Sequence, residues 1–100
     1  MTTLTRREAS QAAPGWRFIL GRLRLRVPTG DFATGLALVD AVGALAEAAG
    51  HHPDIDLRYG LVQLALSSHD AGGVTDRDIA LAEQISALVA ERGLRPDHGA

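Results

Sequence analysis

Glu47-Ala-Ala-Gly-His-His-Pro-Asp-Ile-Asp-Leu-Arg-Tyr59 is the stretch that decides how this chain is laid out. A helical pattern runs into it and a strand pattern leaves it. Gly50 reads as the left-handed residue that ends the helix, since glycine reaches that conformation without a Cβ clash. Pro53 forbids helix continuation and holds His52 extended. His51 and His52 therefore sit on a short, stiff connector between a helix and a strand. Glu47 precedes His51 by four residues, a spacing that predicts contact between the two on the last helical turn.

Upstream of the connector, Phe32 to Ala49 predicts a helix, with Asp31 as its cap and Phe32, Leu36, Val39, Val42, Ala46 and Ala49 at helical spacing. Its Ala-rich surface, with Gly35 and Gly43, is low enough for close packing on a sheet or another helix. Before it, Trp16 to Leu20 and Arg22 to Val27 alternate with a period of two and join at Gly21, which predicts a hairpin. Leu23, Leu25 and Val27 form the buried side. Downstream, Ile55 to Ser67 splits at Tyr59-Gly60 into a short strand and a longer one, with Tyr59 as half-buried wall. Thr75 and Asp78 have capping-box spacing, and a last helix runs from Asp76 to Arg92 on a stripe of Ile79, Ala82, Ile85, Leu88 and Val89. The expected fold is α+β: a four-stranded antiparallel sheet with helices packed on one face. Arg17, Arg22, Arg24, Arg26, Arg58 and Gln63 fall on the other face. Residues 1–14 read as an N-terminal segment with a short helix near Thr5 to Gln11, residues 15–93 as a single domain, and residues 94–100 as a loose tail.

Composition narrows the chemistry. A chain of 100 residues supports one core, and 46% apolar residues fit an ordered globule. There is no cysteine, which removes disulfides, thiolate catalysis and Cys-ligated zinc. All ten cationic side chains are Arg, so no lysine is present to form a Schiff base. The net charge of −2 gives no general attraction to nucleic acid or anionic membrane, and the Arg stripe lacks the interleaved aromatics of a nucleic-acid surface. No secretory signal is evident, and no apolar run approaches the roughly 18 residues of a membrane helix. A cytoplasmic protein is the expectation.

Three histidines carry the chemical signal: His51, His52 and, after the last strand, His69. Imidazole is the natural proton donor and acceptor near neutral pH. Each residue has a plainer reading. A histidine after a helix is more often a cap, Asp78 is explained by the capping box, the Arg stripe by a solvated strand face, and His98 by its tail. Three histidines also suit zinc, but adjacent side chains on an extended segment diverge, so proton transfer is the stronger reading and no metal is expected.

Glu47, His51-His52-Pro53, Tyr59, His69 and Asp78, together with Ser67-Ser68-His69-Asp70-Ala71-Gly72-Gly73-Val74-Thr75, resemble the signature of the pterin-4a-carbinolamine dehydratases. The likeness spans about Trp16 to Val89. It implies the α+β fold above and dehydration of 4a-hydroxytetrahydropterin to quinonoid dihydropterin, which recycles the cofactor of aromatic amino-acid hydroxylases. It further implies that His51, His52 and His69 line the pterin cleft. His51 and His69 would act as acid and base, and His52 would orient the substrate. Glu47 and Asp78 would set the charge and position of the imidazoles. Pro53 and the backbone of Ser68, His69, Asp70 and Ala71 would hold the pterin. The pterin is the substrate, so no cofactor is implied, and the partner expected is a second copy of the chain, as homodimer or homotetramer. The alternative implied is a catalytically weak binding or assembly module. Ile55 stands where the family usually carries an aromatic residue, which would remove about 1–3 kcal/mol if that ring stacks on the pterin.

Overall fold

The computed structural model describes residues 2–99. Seven elements follow in the order α1 (Arg6–Ala12), β1 (Arg17–Ile19), β2 (Arg22–Pro28), α2 (Phe32–Ala49), β3 (Asp54–Arg58), β4 (Leu61–Leu66) and α3 (Asp76–Glu91). The four strands form one antiparallel sheet in the order β1-β2-β4-β3. Each hairpin is local, and the central pair β2–β4 joins them with Leu25 opposite Leu64 and Val27 opposite Val62. Leu20 and Gly21 both take positive φ, 52° and 76°, the twist that a two-residue hairpin loop requires. The second turn, Tyr59-Gly60, leaves Tyr59 77% exposed rather than half-buried, because it lies at the tip where no helix covers the sheet.

Period-two alternation in the central strands separates two environments. Leu23, Leu25, Val27, Val62, Leu64 and Leu66 are buried beneath the helices with Leu38, Leu81, Ile85 and Val89. Burying such a side chain is worth roughly 1.5–3 kcal/mol, so this layer is the main source of stability. Arg22, Arg24 and Arg26 face the other way, as their spacing predicts. α3 buries Leu81, Ala82, Ile85 and Val89, with Ile79 and Leu88 only partly covered.

α2 departs from its expected orientation. Its buried stripe is Gly35, Leu38, Val42 and Ala46, while Phe32 and Leu36 are 46% and 52% exposed. The helix is apolar nearly all round, so periodicity does not fix its rotation; close approach to the sheet does. A Cβ on Gly35 would lie 2.9 Å from Leu57 Cδ1 and 3.3 Å from Thr29 Oγ1, so the glycine faces the strands. By length and composition α2 is also long and apolar enough to cross a membrane, contrary to expectation, although its buried stripe belongs to the core.

The segments before β1 and after α3 both join the fold. Thr5 and Glu8 form a reciprocal capping box at the start of α1, and Ala9 and Ala13 enter the core. The tail expected to be loose is laid against β2: Asp97 N–H donates to the Arg26 carbonyl at 2.9 Å and its carboxylate meets Arg26 Nη1 at 2.5 Å.

Candidate functional site

The connector after α2 turns where expected. Gly50 takes φ 63° and ψ 29°, and the next N–H, that of His51, returns to the Ala46 carbonyl at 3.2 Å. This left-handed residue ends the helical phase, so the expected pairing of Glu47 with His51 does not form. Glu47 instead pairs with His52 Nε2 at the exposed rim, and His51 turns inward to α3.

There His51 Nε2 meets Asp78 Oδ1 at 2.5 Å, with the imidazole 11% exposed and the carboxylate fully buried. A buried carboxylate must be met by donors. The other oxygen, Oδ2, accepts the Ser68 hydroxyl and the Thr75 N–H, both at 2.9 Å. With its own proton committed to Asp78, Ser68 Oγ accepts from the Thr75 hydroxyl at 2.9 Å. Asp78 therefore serves at once as the acidic half of a helix cap and as the partner of His51. A carboxylate has no proton to give, so Nε2 carries the hydrogen and Nδ1 is the ring nitrogen left for other work.

The third histidine comes from the β4–α3 loop. Ser68 N–H donates to the Gly73 carbonyl at 2.8 Å, and the Ser68 carbonyl accepts from Ala71, Gly72 and Gly73. That closes a tight loop with His69 and Asp70 at its tip, and it engages the Ser68 backbone within the loop. Arg77 Nη2 reaches Asp70 Oδ1 at 2.7 Å and ties the tip to the first turn of α3. Desolvation is the largest single influence on Asp70 and raises its pKa, but the hydrogen bond and charge of Arg77, with the Asp70 and Ala71 N–H groups, together outweigh it and hold the carboxyl below its ordinary value of 3.8. The His69 ring makes no hydrogen bond among the described residues.

These pieces enclose a cleft of about 320 Å3, lined by Gly50, His51, His52, Ser67, His69, Asp70 and Arg77. All three histidines thus line one cleft. Glu47 and Asp78 stand behind two of them. Pro53, Ala71, Tyr59 and Ile55 do not line the cleft; Ile55 lies on β3 opposite Leu64. Sequence reasoning missed Arg77. A signal was present: a cation in the first turn of a helix opposes the helix dipole and asks for a local partner. No three His, Asp or Glu side chains form a metal-ligating group among the described residues.

Residues 2–88 match the family model described as Pterin 4 alpha carbinolamine dehydratase. A protein of Acidobacterium capsulatum, provisionally named pterin-4-alpha-carbinolamine dehydratase, is 46% identical over 82 residues, covering 82% of this chain and 89% of its own. One from Nocardia farcinica with the same provisional name is 48% identical over 80 residues, covering 80% and 84%. Among solved structures, a transcriptional coactivator/pterin dehydratase from Brucella melitensis superposes with a TM-score of 0.79 at 28% identity, covering 87% of this chain and 98% of that one. A pterin dehydratase-like protein described as a RuBisCO assembly factor in the alpha-carboxysome gives 0.57 at 31% identity, covering 67% and 77%.

Proposed function

Because the chain belongs to the pterin-4-alpha-carbinolamine dehydratase family, we propose that it converts a 4a-hydroxytetrahydropterin to quinonoid dihydropterin and water by histidine acid–base catalysis. The observation that supports this reading is that three histidines line one cleft, one of them bonded to a fully buried carboxylate. In the reaction the C4a–O bond breaks, a proton joins the departing hydroxyl to give water, and a ring N–H proton passes to a base. His51 and His69 take these two roles. Asp78 fixes the His51 tautomer with Nδ1 as the working nitrogen. His52, held by Glu47 at the rim, binds and orients the heterocycle, and Asp70 and the His69 backbone contribute to its edge. The pterin is the substrate, and no separate cofactor is required.

The exposed apolar face of α2, including Phe32 and Leu36, suits contact with a second copy, so a homodimer or homotetramer is part of the proposal. The setting is cytoplasmic recycling of the pterin used by an aromatic amino-acid hydroxylase.

The test is stopped-flow absorbance of carbinolamine decay with the purified chain. His51→Ala and His69→Ala should each slow turnover by roughly 10²–10⁴-fold while the fold persists. Unchanged rates in both variants would eliminate the assigned roles. The solved relative described as an assembly factor motivates a second reading, a non-catalytic binding module. A stoichiometric protein partner without carbinolamine turnover would favour it.

A further inference from the structure

The outer face of the sheet, which the catalytic reading leaves unused, carries a second concavity of about 250 Å3. It shares no lining residue with the histidine cleft. Its cations come from the alternation in β2, which sets Arg22, Arg24 and Arg26 in a row, and from Arg17 on β1, which the register places directly opposite Arg24. Like charges in that relation destabilise a strand pair unless something of opposite sign joins them. Two of the four are answered within the chain: Asp54 pairs with Arg22 and Asp97 with Arg26. Asp56, which also lines the concavity, is engaged by Arg58. Among the described residues neither Arg17 nor Arg24 meets a carboxylate. Arg17 reaches only the His98 carbonyl, at 3.4 Å, and Arg24 is exposed.

The tail shows what this row accepts. Asp97 lies beside β2, forming an isolated bridge to Arg26, and places its carboxylate on that guanidinium. The chain thus fills one end of the row with an anion of its own and leaves the adjoining pair open. The geometry points to a second binding site, in which Arg17, Arg24 and Arg26 take a small multivalent anion of the phosphate-ester or diphosphate class and Asp97 is the built-in competitor at one end. Guanidinium forks match phosphate oxygens in pairs, and a volume just below the usual ligand-pocket range suits a compact ligand. Asp54 and Asp56 along the opposite wall would repel an extended polyanion, and no aromatic platform is present for stacked bases. The same phosphate chemistry exists free in solution and on a lipid headgroup.

Calorimetric titration of the full chain with inorganic pyrophosphate tests the site. The wild-type chain should bind, more weakly as salt rises. Arg17→Gln combined with Arg24→Gln should weaken binding about tenfold, the loss expected when two modest charge-assisted contacts go. Asp97→Asn should tighten it, because the competing carboxylate is gone. Carbinolamine turnover should be unchanged in these variants, which touch no residue of the histidine cleft and so separate this site from the catalytic reading; the urea midpoint should not fall in the double glutamine variant, where a facing like-charge pair is relieved. Sedimentation with phosphatidic-acid vesicles, blocked by pyrophosphate, would assign the ligand to a headgroup; binding of pyrophosphate without sedimentation would assign it to a free ester. No binding of pyrophosphate, or equal affinity in the double glutamine variant, overturns the site. Unchanged affinity in Asp97→Asn overturns the competitor.

Discussion

Asp78→Asn is the substitution on which the proposed chemistry turns. The change is nearly isosteric and keeps an oxygen that can accept from the Ser68 hydroxyl and the Thr75 N–H, each now 2.9 Å away. What it reverses is the third contact. The amide NH2 faces His51 Nε2 across the 2.5 Å position, so Nε2 must become the acceptor and the ring hydrogen must move to Nδ1. The nitrogen left to the substrate then has the wrong protonation, and the general acid–base contribution of roughly 10²–10⁴-fold should be largely lost. Stability should fall less. Three charge-assisted hydrogen bonds become neutral, at about 1 kcal/mol each, and relief of a buried charge offsets part of this. A net cost of about 1–3 kcal/mol is expected, roughly 5–20 °C in the midpoint of a domain this size. Asp78→Ala is the poorer probe, since it strands a buried network at about 3–5 kcal/mol, a large share of a small domain's stability. Stopped-flow turnover and urea unfolding should be measured for Asp78→Asn, His51→Ala and the double variant. If Asp78 works through His51, the amide adds little further loss once the imidazole is gone. A full, independent loss in the double variant would refute the coupling, as would near-wild-type turnover in Asp78→Asn alone.

Two further outcomes test the packing and the loop. Gly43 has open space where a Cβ would stand and Gly35 does not, so Gly43→Ala should stabilise by about 0.5–1 kcal/mol and Gly35→Val destabilise by about 1–3 kcal/mol in urea titrations. A shift of the same sign for both would mean that α2 presents a different side to the sheet. The Asp70 carboxyl should titrate below 3.8, its value in the unfolded chain, so the Arg77 clamp contributes to stability above that pH and is lost as pH falls through the lower folded value. Carboxyl-carbon NMR should show this, and Arg77→Gln should move the midpoint upward; an unmoved midpoint would show that Arg77 is not its cause.

The parts of the fold that were legible in the sequence are those where neighbouring residues contrast. Arg22 to Val27 alternates charge with Leu and Val, so strand, faces and partner layer follow from six residues. Gly50-His51-His52-Pro53 is equally explicit about where a helix stops. α2 offers no such contrast: with apolar residues on most of its circumference, its rotation is set by how closely Gly35 can approach Leu57 and Thr29. The tail was opaque for a related reason. Pro96-Asp97-His98 has no periodicity, and its place beside β2 depends on a backbone bond to Arg26, 71 positions away.

The site divides along the same line, and the division has chemical content. Spacing named all three imidazoles but assigned the wrong carboxylate to His51, because the i to i+4 rule holds only while the helical phase lasts and Gly50 ends it. The turn that misled the spacing rule also separates the two histidines. It sends His51 to a buried acid that fixes its hydrogen and leaves His52 with an exposed acid at the rim. A regular helical continuation would have set both rings over the same turn, competing for Glu47. The break gives adjacent residues different surroundings, one ring on a buried acid and its neighbour on an exposed one, which is the asymmetry that the proposed division of roles requires.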